Sequence, residues 1–172
     1  MLEKLTSKTV LIGSLALMSI MFVIVMFYVN PSIDGGNGLG VIKLQLSFDK
    51  EAGIEIIHSW GKDGVERFRQ WIITDYIYAF AYSAFFASLL SFLILKKGKE
   101  TYRAYTISVY LAFVAGFLDW VENTIELTFI NNPSDFSSTL FFAHSIIALL
   151  KWAAVPIAVA YIVVLLTKKN TR

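Results

Sequence analysis

Four apolar runs, at residues 9–29, 71–95, 104–130 and 138–166, dominate the chain and limit what it can fold into. About 20 helical residues cross a hydrocarbon core about 30 Å thick, and each run reaches that length. Lipid offers no partner to a backbone N–H or C=O, so each run must satisfy its own groups as a helix. The expected fold is therefore all-α: a single integral membrane domain over 1–172, built as a four-transmembrane-helix bundle. Of the 172 residues 56% are hydrophobic and only 16% are charged, which fits that class.

Charge placement predicts the orientation. Lys96, Lys97, Lys99 and Arg103 crowd the connection between spans two and three, whereas 131–137 between spans three and four has no Lys or Arg. The positive-inside rule puts the basic connection in the cytoplasm, and Lys4, Lys8, Lys168, Lys169 and Arg172 agree. Both termini are expected inside, with 30–70 as an extracytoplasmic cap, and a bacterial inner membrane is the expected location. The first run lacks a small-x-small cleavage site and ends Phe27-Tyr28-Val29-Asn30-Pro31, which reads as an uncleaved signal anchor. A net charge of +2, dispersed at the ends of apolar runs, gives no basis for nucleic-acid binding. Zero cysteines exclude thiol nucleophiles, disulfides and thiolate metal sites.

The cap reads as three pieces. Residues 31–40 hold three glycines before Gly40 and form a linker. Residues 41–48 alternate, with Ile42, Leu44, Leu46 and Phe48 opposite Lys43, Gln45 and Ser47, which predicts a short half-buried strand. Such a strand needs a partner for its edges, from a second copy, another membrane subunit or the interface. Asp49 then caps an amphipathic helix over 50–60 that Gly61 ends, and a second amphipathic piece, 65–70, runs into span two.

The remaining signal is polar. Span three carries Asp119, Glu122, Asn123 and Glu126 at i, i+3, i+4 and i+7, one stripe on one face. A charge at the centre of a membrane helix costs roughly 2.5–3.5 kcal/mol on insertion scales, so such groups need partners and mark a candidate site. At 1.5 Å rise per residue, Asp119 lies about 22 Å from the inner side. Asp75, with Tyr78 and Tyr82 following it, starts near the outer boundary of span two. His144 is about 9 Å deep from the outer side and Lys151 about 20 Å deep, on one face of span four. Asp75, Tyr78, Tyr82, Asp119, Glu122, Asn123, His144 and Lys151 are therefore the expected binding residues. Glu126 reads as an interface residue in contact with water, and Arg67 and Arg69 as cations that reach the site only if the cap folds inward. Ala112, Ala115 and Gly116, and Gly13 with Ser14 on span one, are expected where helices approach closely. Pro156 is expected to kink span four beside Lys151.

The ordered pattern Leu44-Gln45-Leu46-Ser47-Phe48, Trp60-Gly61, Gly64, Asp75 with Tyr82, and Asp119-x-x-Glu122-Asn123 resembles a group of small four-helix bacterial membrane proteins without an assigned activity. The resemblance implies the architecture and the pairing of Asp75 with the third-span stripe, and no reaction. Three function classes follow from the residues. The first is a buried outer-half site for a cation, proton or small lipidic ligand. The second is an accessory subunit of a larger membrane complex, or a homo-oligomer, using the stripe and strand for contacts. The third is an acid/base enzyme acting on a lipid or isoprenoid. No cofactor is indicated by any motif.

Overall fold

A computed structural model of the chain describes residues 2–34 and 39–168. The described residues are helical, without strands. A short α1 (Leu2–Leu5) precedes α2 (Lys8–Val23), which widens into a π-helical stretch, Ile24–Val29, and closes in a 3-10 turn, Asn30–Ser32. Two short helices, α3 (Gly40–Gln45) and α4 (Lys50–Ser59), form the cap. Three long helices follow, α5 (Gly61–Lys97), α6 (Lys99–Asn131) and α7 (Ser138–Thr167). With α2 and its extension, Lys8–Val29, they supply four helices long and apolar enough to cross a membrane.

α5 is the central helix: 56% of its most apolar stretch is buried, against 11% for α2, which lies at the periphery. The bundle leaves Ile12, Phe27, Ile77, Phe117, Leu150 and Leu166 exposed. A bilayer is the solvent that makes such a surface favourable. Gly98, at φ 102°, is the whole joint between α5 and α6, a left-handed backbone that glycine adopts without a Cβ clash. Around this joint gather the ends of α1 and α7. Ser88 donates to the Leu5 carbonyl at 2.7 Å, and Lys97 donates to the carbonyl of Lys168.

The core is layered along the bundle. At the cap end Val41, Leu44, Ile57, Phe68, Ile72, Phe129 and Phe141 form one buried cluster; Ala79, Tyr82, Ala115 and Ala154 form a narrow middle layer; Leu2, Leu90, Ile94, Val109 and Leu165 fill the joint end. The middle is narrow because its side chains are small. A Cβ on Gly116 would come within 2.7 Å of Ser83 and 3.0 Å of the Ala79 carbonyl, so α5 and α6 nearly touch there, as the small-residue pattern leads one to expect. Gly116→Val should therefore cost roughly 1–3 kcal/mol by overpacking, read as a lower melting temperature in detergent. Gly13 meets nothing within 4 Å, so the close approach expected on span one is absent.

The expected strand over 41–48 is not formed: 41–45 belong to helix α3 and 46–48 to the turn that follows it. Val41, Leu44 and Gln45 are buried at i, i+3 and i+4, a helical spacing that coexisted in the sequence with the alternation. A lone strand would leave its backbone groups unpaired, whereas a helix bonds its own. Asp34 accepts from the backbone N–H groups of Leu39 and Gly40, at 3.2 and 2.8 Å, and so satisfies two N–H groups at the start of α3. Phe48 then turns the chain at φ 58°, unusual for a bulky residue. Its N–H donates to Ser145 Oγ at 3.3 Å and its ring lies edge-on to Phe142.

The rest of the cap matches its sequence signals. Asp49 accepts from Ala52 N–H at 2.9 Å and starts α4, which stops at Trp60 before Gly61 at φ 65°. A Cβ on Gly53 would lie 2.4 Å from the Phe141 ring, which fixes how tightly α4 sits on α7. Lys50 pairs with Asp135 at 3.3 Å, tying the cap to the α6–α7 loop, and Arg69 donates to Asn131 at 3.0 Å, tying α5 to the end of α6. The 65–70 piece is part of an unbroken α5, and α7 continues through Pro156.

Candidate functional site

Between the cap-end cluster and the small-residue layer lies a polar stratum contributed by three long helices. α6 presents Asp119, Glu122, Asn123 and Glu126 on its inward face, α5 presents Asp75 and Tyr82, and α7 presents His144 and Lys151. All eight are buried; Glu122, Asn123, Glu126 and His144 have no exposure at all. The depths counted along the helices thus bring together residues from spans running in opposite directions.

Lys151 is the hub. Its Nζ lies 3.0 Å from Asp119 Oδ1 and 2.7 Å from Glu122 Oε2, and 5.4 Å from the centre of the Trp152 ring. Asp119 uses its other oxygen to accept from the Tyr82 hydroxyl at 3.0 Å. Asp75 accepts from Asn123 Nδ2 at 3.0 Å, so the tyrosine expected beside Asp75 serves Asp119 instead. These contacts tie α5 to α6 and α6 to α7 through buried, charge-assisted bonds.

Glu126 is not an interface residue. Its Oε1 accepts from Gln45 Nε2 at 3.3 Å and meets His144 Nε2 at 3.2 Å. The cap is what removes it from water: α3 lays Gln45 over the end of the stripe, and Trp152 Nε1 donates to Gln45 Oε1 at 3.0 Å to set the amide. Gln45 and Trp152 are the site residues the sequence did not mark, because Gln45 falls on the polar side of the expected strand. Arg67 and Arg69 bond Gln70, Glu66 and Asn131 near the surface and do not reach the stripe.

Four carboxyls, of Asp75, Asp119, Glu122 and Glu126, thus share one lysine and one histidine. Buried charge of one sign is costly unless a counter-charge meets it. Glu122, Glu126 and His144 each place one ligand-type atom within 4.8 Å of the others, a spacing that suits a bound cation.

Beside this network is a cavity of about 300 Å³. Met18, Phe22, Val25 and Met26 of α2 and its extension form one wall, Val155 and Trp152 of α7 the other, and Val41, Ile42 and Gln45 of α3 the cap-end side. Trp71, Tyr78, Tyr82 and Phe86 of α5 line the back, and Asp75, Asp119 and Lys151 supply the polar floor. Phe22, Met26 and Trp152 are also exposed on the bundle surface, so the cavity reaches the lipid-facing side between α2 and α7. Tyr78 belongs to the site as a wall of this cavity rather than as a hydrogen-bonding partner of the stripe. The arrangement can hold an apolar chain along its walls and a polar head on its floor.

The chain matches no protein-family model, no curated protein and no solved structure.

Proposed function

We propose that this multi-pass membrane protein binds an amphiphile carrying a cationic amine head, taken up from the bilayer through the opening between α2 and α7. The observation that carries the reading is the pairing of a carboxylate floor with an aromatic-lined apolar cavity at the lipid-facing surface. Lys151 is already engaged by Asp119 and Glu122, so Asp75 is the carboxyl left to receive an incoming cation. Trp71, Tyr78, Tyr82 and Phe86 add ring faces and edges around it, and an ammonium beside such rings gains roughly 0.5–2 kcal/mol per favourable contact. An ammonium on Asp75 also offsets the acid excess, which an anionic or neutral head does not. In the orientation read from the sequence, the cap is extracytoplasmic and the termini cytoplasmic. The gathering of Lys4, Lys96, Lys97 and Lys168 at the joint end of the bundle supports it.

Trp71 and Trp152 line the cavity, so a brominated alkylammonium bound there quenches tryptophan fluorescence. In nanodiscs the quenching is expected to saturate and to exceed that by the alcohol and the carboxylate of equal chain length. Val155→Phe, which fills the cavity from α7, should weaken it about tenfold or more. Equal and non-saturating quenching by all three head groups would mean simple partition into lipid and would remove the proposal.

A further inference from the structure

The polar network contains a second place that the amine cavity does not use, at the cap end of the stripe. Glu122, Glu126 and His144 are wholly buried, and each offers an atom within 4.8 Å of the others. Acidic clusters alone mean little, but here a histidine joins the cluster and each of the three side chains, though partnered through one atom, also carries a buried atom that is not. Glu122 Oε1, Glu126 Oε2 and His144 Nδ1 make no hydrogen bond. A buried carboxylate oxygen with no donor loses its hydration and gains nothing in return, so a cation beside it is favoured.

We infer that Glu122, Glu126 and His144 form a binding site for a divalent transition-metal ion of zinc size. The donor set, one imidazole and two carboxylates, is that of a borderline ion; calcium asks for six to eight oxygens and magnesium for a largely hydrated octahedron. Bond lengths of about 2.0–2.2 Å set neighbouring ligand atoms of a tetrahedral zinc site about 3.3 Å apart. His144 Nε2 and Glu126 Oε1 already stand 3.2 Å apart. Glu122 keeps Oε2 on Lys151 at 2.7 Å and has Oε1, which makes no hydrogen bond, to offer to the ion.

The surroundings fit the assignment. The rings of Phe129 and Phe141 lie 5.2 and 5.7 Å from the imidazole and hold its plane by packing. Gln45 bonds the Glu126 oxygen and is itself fixed by Trp152, an outer layer of the kind that orients metal-ligating carboxylates. Gln45 also lines the cavity, so movement of that one side chain connects the cluster to the lipid-facing opening. A dication leaves the four carboxyls, Lys151 and the metal close to neutral. The ion sits on the Glu126 side of Lys151 and the amine on the Asp75 side; Glu122, which pairs with Lys151, is the residue through which the two could influence each other.

The test uses the purified full chain in nanodiscs, stripped with chelator and titrated with Co²⁺ alone. Wild type is expected to bind one Co²⁺ per chain with the intense visible bands of low-coordinate cobalt, displaced by Zn²⁺. Glu126→Gln should lose the bands, and Gln45→Leu should weaken binding roughly 10–100-fold as an outer-layer change. The chain has no cysteine, so His144→Cys adds its only thiol. The expected gain there is a cobalt–thiolate charge-transfer band, a signal that a destabilised but folded variant still gives. Val155→Phe, which blocks the amine cavity, should leave the equilibrium cobalt stoichiometry and bands unchanged even where uptake is slower, and so separates the two sites. Less than a tenth of an equivalent bound by wild type, binding that Glu126→Gln does not alter, or no thiolate band in folded His144→Cys would each overturn the assignment.

Discussion

Replacing Lys151 by methionine is expected to destabilise the protein by roughly 3–5 kcal/mol, the cost of leaving buried charges without their partner. Among the described residues the Lys151 ammonium is the cation within 3.0 Å of both Asp119 and Glu122, and both carboxylates are buried. Methionine fills nearly the same volume, so packing loss contributes little. The triple variant Lys151→Met, Asp119→Asn, Glu122→Gln removes charge on both sides and should recover most of the loss. Thermal melts in detergent read both results. A Lys151→Met protein that melts like wild type would show that the pair contributes nothing, and the polar stratum would lose its structural role.

Asp75→Asn is expected to act on binding rather than on folding. Asp75 has one oxygen on Asn123 and shares the cavity floor with Asp119, so it adds negative charge where Lys151 is already committed. Asparagine keeps the shape, and removing a like charge beside Asp119 should leave the melting temperature unchanged or slightly raised. A charge-assisted bond contributes roughly 1.5–3 kcal/mol, so affinity for an alkylammonium should fall about 10–100-fold. The same chain with an alcohol head should bind nearly as it does to wild type. A variant that binds the amine normally would place the head elsewhere than on Asp75.

The four apolar helices and most of the polar stratum were legible because both rest on simple geometry. Four apolar runs fix four helices, and a rise of 1.5 Å per residue counted along opposed spans is enough to put Lys151 near Asp119 and Asp75 near Asn123. What failed depended on tertiary placement. The alternation at 41–48 fits a strand and a helix equally, and it resolves as α3 and the turn after it because no second strand exists among the described residues to pair with it. Glu126 counts as an interface residue from depth alone; it is buried because α3 brings Gln45 over it, a contact 81 positions away in sequence. Gly13 has a packing composition but no neighbour, because α2 lies at the periphery. The cavity had no sequence signature at all, since it arises from the separation of Phe22 and Met26 on one side from Trp152 and Val155 on the other.

The most direct measurement is photo-crosslinking in nanodiscs with a long-chain alkylammonium bearing a diazirine near its head, followed by peptide mapping. Labelling is expected on Met18, Phe22, Trp71, Tyr78 and Val155, to be suppressed by unlabelled amine, and to disappear in Asp75→Asn. Labels confined to the exposed faces of α6 and α7, at residues such as Phe117, Leu150 and Leu166, and indifferent to competitor and to Asp75→Asn, would contradict an amine site on the cavity floor.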